Sequence, residues 1–436
     1  MLDKLQVKRT PKFSFGVLDS IALLNFAVVA SLLLAVFVTN YLGGQVSNFI
    51  SAAFLDKPSL GVAYDFTGKD MSGHYFGDFL QTIDWANRSN PWTMKIANYP
   101  PLPVYLLKLI SWMPYDTARA IYLVTLVAVS AAVVFFISKG LAFSTRLTLA
   151  AVLGLASTPI LASVDRGNNV AVVGAMFGLF AWATIRDKRK LAIAMLVLMV
   201  SFKAYPVVFS IMFIRKRWFK ELLIAGAATL VITLGLFAFT PGGFAATFGA
   251  FMQTNQNGAS SLIYHLMNDW RLALKSLGFS DAAASGYSHD TLSAIAKVLP
   301  FFAGISALAA LGLSKLRDLE RLYLLGLSMV FIYGAPLAYN WTWAVFLLVL
   351  VIADLREREI QLVGEASVWQ ANPMAAFIVL TLGVLAVPVG WHIAGTKIGL
   401  MPYLGLLFGA VGVVVAFVTN GRRATAATAA SEPTEP

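Results

Sequence analysis

Residues 186–220 read RDKRKLAIAMLVLMVSFKAYPVVFSIMFIRKRWFK. An apolar segment, 191–214, runs between two basic clusters and carries Lys203 near its middle. Two full membrane crossings need about 40 residues, which this segment lacks. A single crossing would put RDKRK and RKRWFK on opposite faces and invert every later loop. The reading that keeps both clusters on one face is a broken re-entrant hairpin, with Lys203-Ala204-Tyr205-Pro206 as its turn near mid-membrane. Pro206 lacks an N–H and disfavours helix at Tyr205. Irregular backbone at that depth is tolerated only against protein or a wet cavity.

The rest of the chain sets this hairpin in a membrane. Of 436 residues, 58% are hydrophobic and 13% charged, about half the charge of a soluble protein. Apolar runs give ten spans, at about 19–41, 117–138, 146–163, 170–185, 221–240, 291–313, 322–338, 341–355, 374–391 and 400–418. The expected fold is an all-α polytopic bundle with amphipathic helices on its outer face. Residues 1–18 form a cytoplasmic N-terminus without a cleavage site, 19–420 the transmembrane module, and 421–436 a small, polar tail expected to be disordered. With the N-terminus inside, segments 1–18, 139–146, 186–190, 215–220, 315–321, 356–358 and 422–423 hold 21 of the 33 Lys and Arg residues. That satisfies the positive-inside rule, so the net charge of +11 needs no nucleic acid to explain it.

Several functional classes drop out. The chain has no cysteine, hence no disulfide or thiolate metal site. Its four histidines show no metal-ligand spacing, so no histidine metal site is expected. There is no P-loop or dinucleotide fingerprint, and no cofactor is expected. A transferred group must come from the membrane or from outside. GAMFG at 174–178 and GLLFG at 405–409 read as helix-packing motifs.

Three features invite chemistry. Two long outer stretches, 42–116 and 241–290, are too long and too aromatic to be connectors. In the first, Asp78 stands among Phe76, Phe79 and Trp85, as a general base or as the cap of the helix FLQTIDWA. Asp84 is off its face and reads as a solvated charge. YPPLPVYLLKLISWMP, 99–114, reads as an interfacial helix. VDRGNNV, 164–170, offers Arg166, Gly167 and Asn168 to a sugar or phosphate, unless Asp165 and Arg166 only neutralise each other. Lys203, costly at depth, suits an anionic ligand such as a lipid phosphate.

In order along the chain, Asp78, Tyr99-Pro100-Pro101, Arg166-Gly167-Asn168, the Lys203-to-Pro206 break, NQNGASSL at 255–262 and PLAYNWTW at 336–343 resemble a known pattern. The chain resembles the GT-C glycosyltransferases of family 87, actinobacterial mannosyl- and arabinofuranosyltransferases that use polyprenyl-phosphate sugars, over roughly residues 20–350. The resemblance implies a plasma-membrane enzyme whose active site faces outside and whose substrates are a lipid-borne donor and a cell-envelope glycan or glycolipid. It makes Asp78 the base, Arg166, Asn168 and Lys203 the donor-phosphate ligands, and Tyr99, Asn340 and Trp341 cavity or acceptor residues. Many members carry Ser-Trp and a His pair where this chain has Tyr339-Asn340-Trp341-Thr342-Trp343, which makes His265 the candidate substitute. A lipid-linked-sugar flippase is the alternative. It explains Lys203 but not the isolated acids among outer aromatics.

Overall fold

The computed structural model describes residues 46–47, 77–94, 97–254, 275, 278, 280–332, 338–361, 373–386, 390–391 and 401–429. The expected span 19–41, most of the stretch 42–76, the motif 255–262 and His265 lie outside the described residues. Apart from a two-residue antiparallel pairing of Val46–Ser47 with Gly390–Trp391, every described element is helical. Among the described residues, two helices, Tyr115–Ile137 and Phe219–Ala238, are long and apolar enough to cross a membrane.

Two short helices come first, α1 (Gly77–Asn87) and α2 (Pro101–Lys108), the latter started by prolines in its first turn. Helix α3 (Tyr115–Ile137) is followed by α4 (Phe143–Leu149), which passes into a π-turn at Ala150–Leu155. A new helix, α5 (Thr158–Arg166), then begins with Pro159 in its first turn. Residues 146–163, expected as one span, are thus two helices. Pro159 cannot donate to the preceding turn, and Ser157 Oγ donates to the Leu153 carbonyl at 2.5 Å instead.

Helix α6 (Val170–Ile185) carries the chain to the basic cluster, and α7 (Arg189–Phe202) brings it back. Lys203 is extended (φ −148°, ψ 131°) and ends α7. A 3-10 helix (Tyr205–Ser210) running into α8 (Ile211–Arg215) then returns to the basic end. Lys216 Nζ bridges Asp187 and Asp318, both at 2.9 Å, and Arg189 pairs with Glu221 at 3.0 Å. Burial opposes the charge on Lys216, but the two carboxylates outweigh it and raise its pKa above the ordinary value.

The lengths explain how so short a segment goes out and back. Fourteen α-helical residues rise roughly 21 Å, and six 3-10 residues plus five α-helical ones descend roughly 20 Å. Helix α6, of 16 residues, rises about 24 Å. Lys203 is therefore carried back nearly to the level where α6 began, rather than left midway.

Helix α9 (Phe219–Ala238) follows, of which only Ala225 and Phe237 are buried. Helix α10 (Asp281–Gly312) starts earlier than the span expected at 291, because Ser280 caps it by accepting the Ala283 N–H. Helix α11 (Asp318–Ile332) is buried on all sides from Leu319 to Phe331. A 3-10 turn (Ala338–Trp341) leads to α12 (Thr342–Gln361), likewise enclosed from Trp343 to Leu350. Helix α13 (Pro373–Ala386) stops short of the expected 391.

Helix α14 (Met401–Ala429) continues through residues 421–429, where the composition predicted a disordered tail. Alanine favours helix, and Arg423 anchors this turn by donating to both Glu320 oxygens at 2.8 Å and to the Lys315 carbonyl. Glu320 is buried and also pairs with Arg317. Burial opposes its charge, but Arg423 and Arg317 hold its carboxyl below the ordinary value of 4.5.

Close approach fixes the core. A Cβ on Gly174 or Gly178 would come within 2.7 Å of Thr342 or 2.9 Å of Phe346, so GAMFG lets α6 touch α12. At Gly326 a Cβ would meet the buried Trp343 ring at 2.4 Å.

Two predictions follow from this core and its basic end. Gly326→Ala should cost about 1–3 kcal/mol by overpacking, whereas Gly226→Ala, with nothing within 4 Å, should be neutral or slightly stabilising. Thermal unfolding in detergent measures both. The Glu320 network should contribute fully above pH 4.5 and lose its contribution as pH falls through the depressed folded-state value. The gap in thermal midpoint between wild type and Glu320→Gln should therefore narrow on acidification. A constant gap would remove Glu320 from the network.

Candidate active site

Asp78 lies in the first turn of α1 and does not serve as its cap. Its side chain instead reaches across 88 positions of sequence to α5. Arg166 donates from Nε to Oδ2 at 2.9 Å and from Nη2 to Oδ1 at 2.8 Å, and Asn168 Nδ2 donates to Oδ2 at 2.6 Å. The pair is mostly enclosed, with 13% of Asp78 and 28% of Arg166 side-chain surface exposed. Thr82 Oγ steadies the turn by donating to the Asp78 carbonyl at 2.6 Å. Asp84 is engaged elsewhere, in an exposed i,i+4 pair with Arg88.

The loop that presents Arg166 and Asn168 is built by local rules. Gly167 sits at φ 63°, ψ 33°, the left-handed conformation that ends a helix most cheaply with glycine. The Asn168 and Gly167 N–H groups donate back to the Ser163 and Val164 carbonyls, a Schellman closure. Asn168 Oδ1 accepts from the Val170 N–H, which aims its amide nitrogen at Asp78. Ser163 Oγ donates to the Asn168 carbonyl and accepts from the Ala171 N–H. Both faces of the turn are thereby tied down.

Lys203 arrives from the hairpin tip. Its Nζ stands 3.7 Å from the centroid of the Tyr99 ring, and its charge interacts with those of Asp78 and Arg166. Tyr99 is held by Trp85, edge-on at 5.6 Å, and by the Trp92 indole, which donates to the Tyr99 carbonyl. A cation over an aromatic face is stabilised where water is scarce.

Asp78, Arg166, Asn168, Lys203 and Tyr99 therefore meet in one place, at the opposite end of α6 and α7 from the basic cluster. Asn340 and Trp341 lie in the 3-10 turn packed on α5, the helix that carries Arg166. Trp341 is wholly buried, with its ring 5.8 Å from Trp343 and 6.4 Å from Phe331. Its surroundings are those of a packing residue. Thr342, next to it, donates to the Val170 carbonyl and so braces the Asn168 loop from behind.

Tyr122 also belongs to the cluster. Its ring stacks on Phe79 at 4.7 Å and its phenol interacts electrostatically with Asp78. In sequence it reads as one more aromatic near the end of an apolar run, the common interfacial position, and nothing distinguishes it. Asn98 and Asn169 are the chain neighbours of Tyr99 and Asn168, and their buried Oδ1 atoms have no hydrogen-bond partner among the described residues.

The site is thus a carboxylate held at one edge of a helical scaffold with a guanidinium and a lysine beside it. Residues 98–339, more than half of the chain, match the model of glycosyltransferase family 87, and the chain belongs to that family. It is an enzyme that transfers sugars, which favours transfer over translocation as its activity. The match includes Tyr99, Arg166, Asn168 and Lys203 and leaves Asp78, Asn340 and Trp341 outside. No curated protein and no solved structure matches the chain.

Removing one member of the Asp78–Arg166 pair should cost unequally. Arg166→Ala leaves a mostly buried carboxylate with Asn168 alone and should destabilise by about 1–3 kcal/mol. Asp78→Asn retains a hydrogen-bonding oxygen for Arg166 and should cost less. Thermal unfolding of the two variants side by side checks the order.

Proposed function

We propose that this enzyme transfers a sugar, mannose first and arabinofuranose second, from a polyprenyl-phosphate donor to a hydroxyl group of a cell-envelope glycan or glycolipid. The reading places the scaffold in the plasma membrane as ten spans plus the hairpin 191–214, with the basic end in the cytoplasm. The Asp78 cluster then lies roughly 20 Å along α7 from the inner face of a hydrocarbon layer about 30 Å thick, recessed from the outer surface. A lipid-borne phosphate can be drawn into such a recess without leaving the membrane.

The observation that carries the reading is the convergence of Asp78, Arg166, Asn168 and Lys203 from three separate stretches of chain. In the proposed reaction Asp78 takes the proton of the acceptor hydroxyl as its oxygen attacks the anomeric carbon. Polyprenyl phosphate leaves, and Lys203 and Arg166 stabilise the charge that develops on it. Asn168 orients the base. Tyr99 fixes Lys203, and Asn98 and Asn169 are placed to accept from sugar hydroxyls.

The test is transfer of radiolabelled sugar from polyprenyl-phosphate mannose or polyprenyl-phosphate arabinofuranose in proteoliposomes. Asp78→Asn should lower transfer by about 10²–10⁴-fold while donor binding persists. Full transfer by that variant, once its folding is verified, would remove Asp78 from the chemistry.

A further inference from the structure

Arg166 presents its Nε–Nη2 edge to Asp78 and fills that edge with two hydrogen bonds. The same planar fork is the part of a guanidinium that best fits a phosphate. A phosphate seated on that edge displaces the Asp78 carboxylate. Building on the polyprenyl-phosphate reading above, we propose that Arg166 changes partner during transfer, holding Asp78 before the step and the departing phosphate after it.

The movement of charge supports the exchange. Before the step the site holds the Asp78 carboxylate, the Arg166 guanidinium, the Lys203 ammonium and a donor phosphodiester with one negative charge. These four charges cancel. In the step the acceptor O–H bond breaks and its proton passes to an Asp78 oxygen. The acceptor oxygen bonds to the anomeric carbon, the bond from that carbon to the phosphate oxygen breaks, and its electron pair stays with the phosphate. Asp78 is then neutral, and the phosphate has become a monoester with about two negative charges at neutral pH. The charges cancel again, but one negative charge has moved from Asp78 to the phosphate.

Arg166 loses its anionic partner at the moment a second anion appears. Lys203 cannot play this part, because it contacts Asp78 through no hydrogen bond and is seated on the Tyr99 ring. Asn168 allows the exchange without loss of order. Its amide, locked by the Val170 N–H, continues to hold Asp78 Oδ2 when the guanidinium turns away.

The exchange sets phosphate binding against the Asp78–Arg166 pair. A polyprenyl monophosphate binding to the resting enzyme takes Arg166 from Asp78. A diester, with one charge for Lys203 to balance, leaves the Asp78–Arg166 pair in place.

Calorimetric titration of the full-length protein in detergent measures the affinities. A short-chain polyprenyl monophosphate should bind more tightly than its methyl diester, because the dianion takes Arg166 and the diester does not. Asp78→Asn should bind the monoester roughly tenfold more tightly, because the charged competitor for Arg166 is gone, and the diester unchanged. Arg166→Gln should lose the preference for monoester over diester. Unchanged monoester affinity in Asp78→Asn, or an unchanged preference in Arg166→Gln, would overturn the partner exchange and leave the lipid-phosphate reading standing. No binding of the monoester would overturn both, and equal binding of inorganic phosphate would reassign the site to a free anion. The two variants change opposite sides of the pair, so either one decides the matter where the other fails to fold.

Discussion

The bidentate contact between Asp78 and Arg166 joins a short helix near the start of the described chain to the end of α5, and the site is organised around it. A carboxylate and a guanidinium this enclosed are stable only with both partners present and their remaining hydrogen-bonding capacity met. The surrounding structure meets it, with Asn168 on the carboxylate, a Schellman turn behind the arginine and Thr342 bracing the loop from α12. The ordinary rules for ending a helix thereby place an arginine and an asparagine on one carboxylate.

The scaffold divides into a tightly interlocked centre and an open periphery. Helices α11 and α12 are enclosed on every side, and glycines at 174, 178 and 326 let backbones and large rings meet without intervening side chains. Helix α9 is almost unburied by protein, with Leu223, Val231 and Phe239 more than 70% exposed. The interlocked centre holds α5 and α6, and so the Asn168 loop, in fixed register. Helix α9 reaches toward the site through Phe237, whose ring meets that of Trp92 edge-on at 5.6 Å.

Much of this was legible in the sequence, but unevenly. Helix α6 was read to the residue, because its apolar run is closed by basic residues at one end and by a Gly-Asn turn at the other. Charge bias pointed to a turn at Lys203–Pro206, and the chain reverses there. The depth of that turn was not legible, since a count of residues hides the longer rise of a 3-10 helix. The cut at Pro159 was visible as a proline, yet continuous hydrophobicity on both sides outweighed it. Asp78, Arg166, Asn168 and Lys203 each stood out as polar groups in apolar surroundings, but nothing linear joins positions 78 and 166. Tyr122 was hidden by its context, and the helical run through residue 429 by weak polarity that masks good helix propensity. The PLAYNWTW motif singles out Asn340 and Trp341, and both lie in the 3-10 turn packed on α5, with Trp341 fully buried.

The hairpin that carries Lys203 has a consequence for how such a site can change over time. Both its ends are fastened at the basic end by Lys216, Asp187, Arg189 and Glu221, so residues can be gained or lost at its tip without reversing the direction of any other helix. The reach of a single positive charge is thereby separated from the topology of the bundle. Sequences that differ by a residue or two between positions 202 and 206 would present that charge to a substrate at different heights. A change of substrate would then require only a change in the length of one turn.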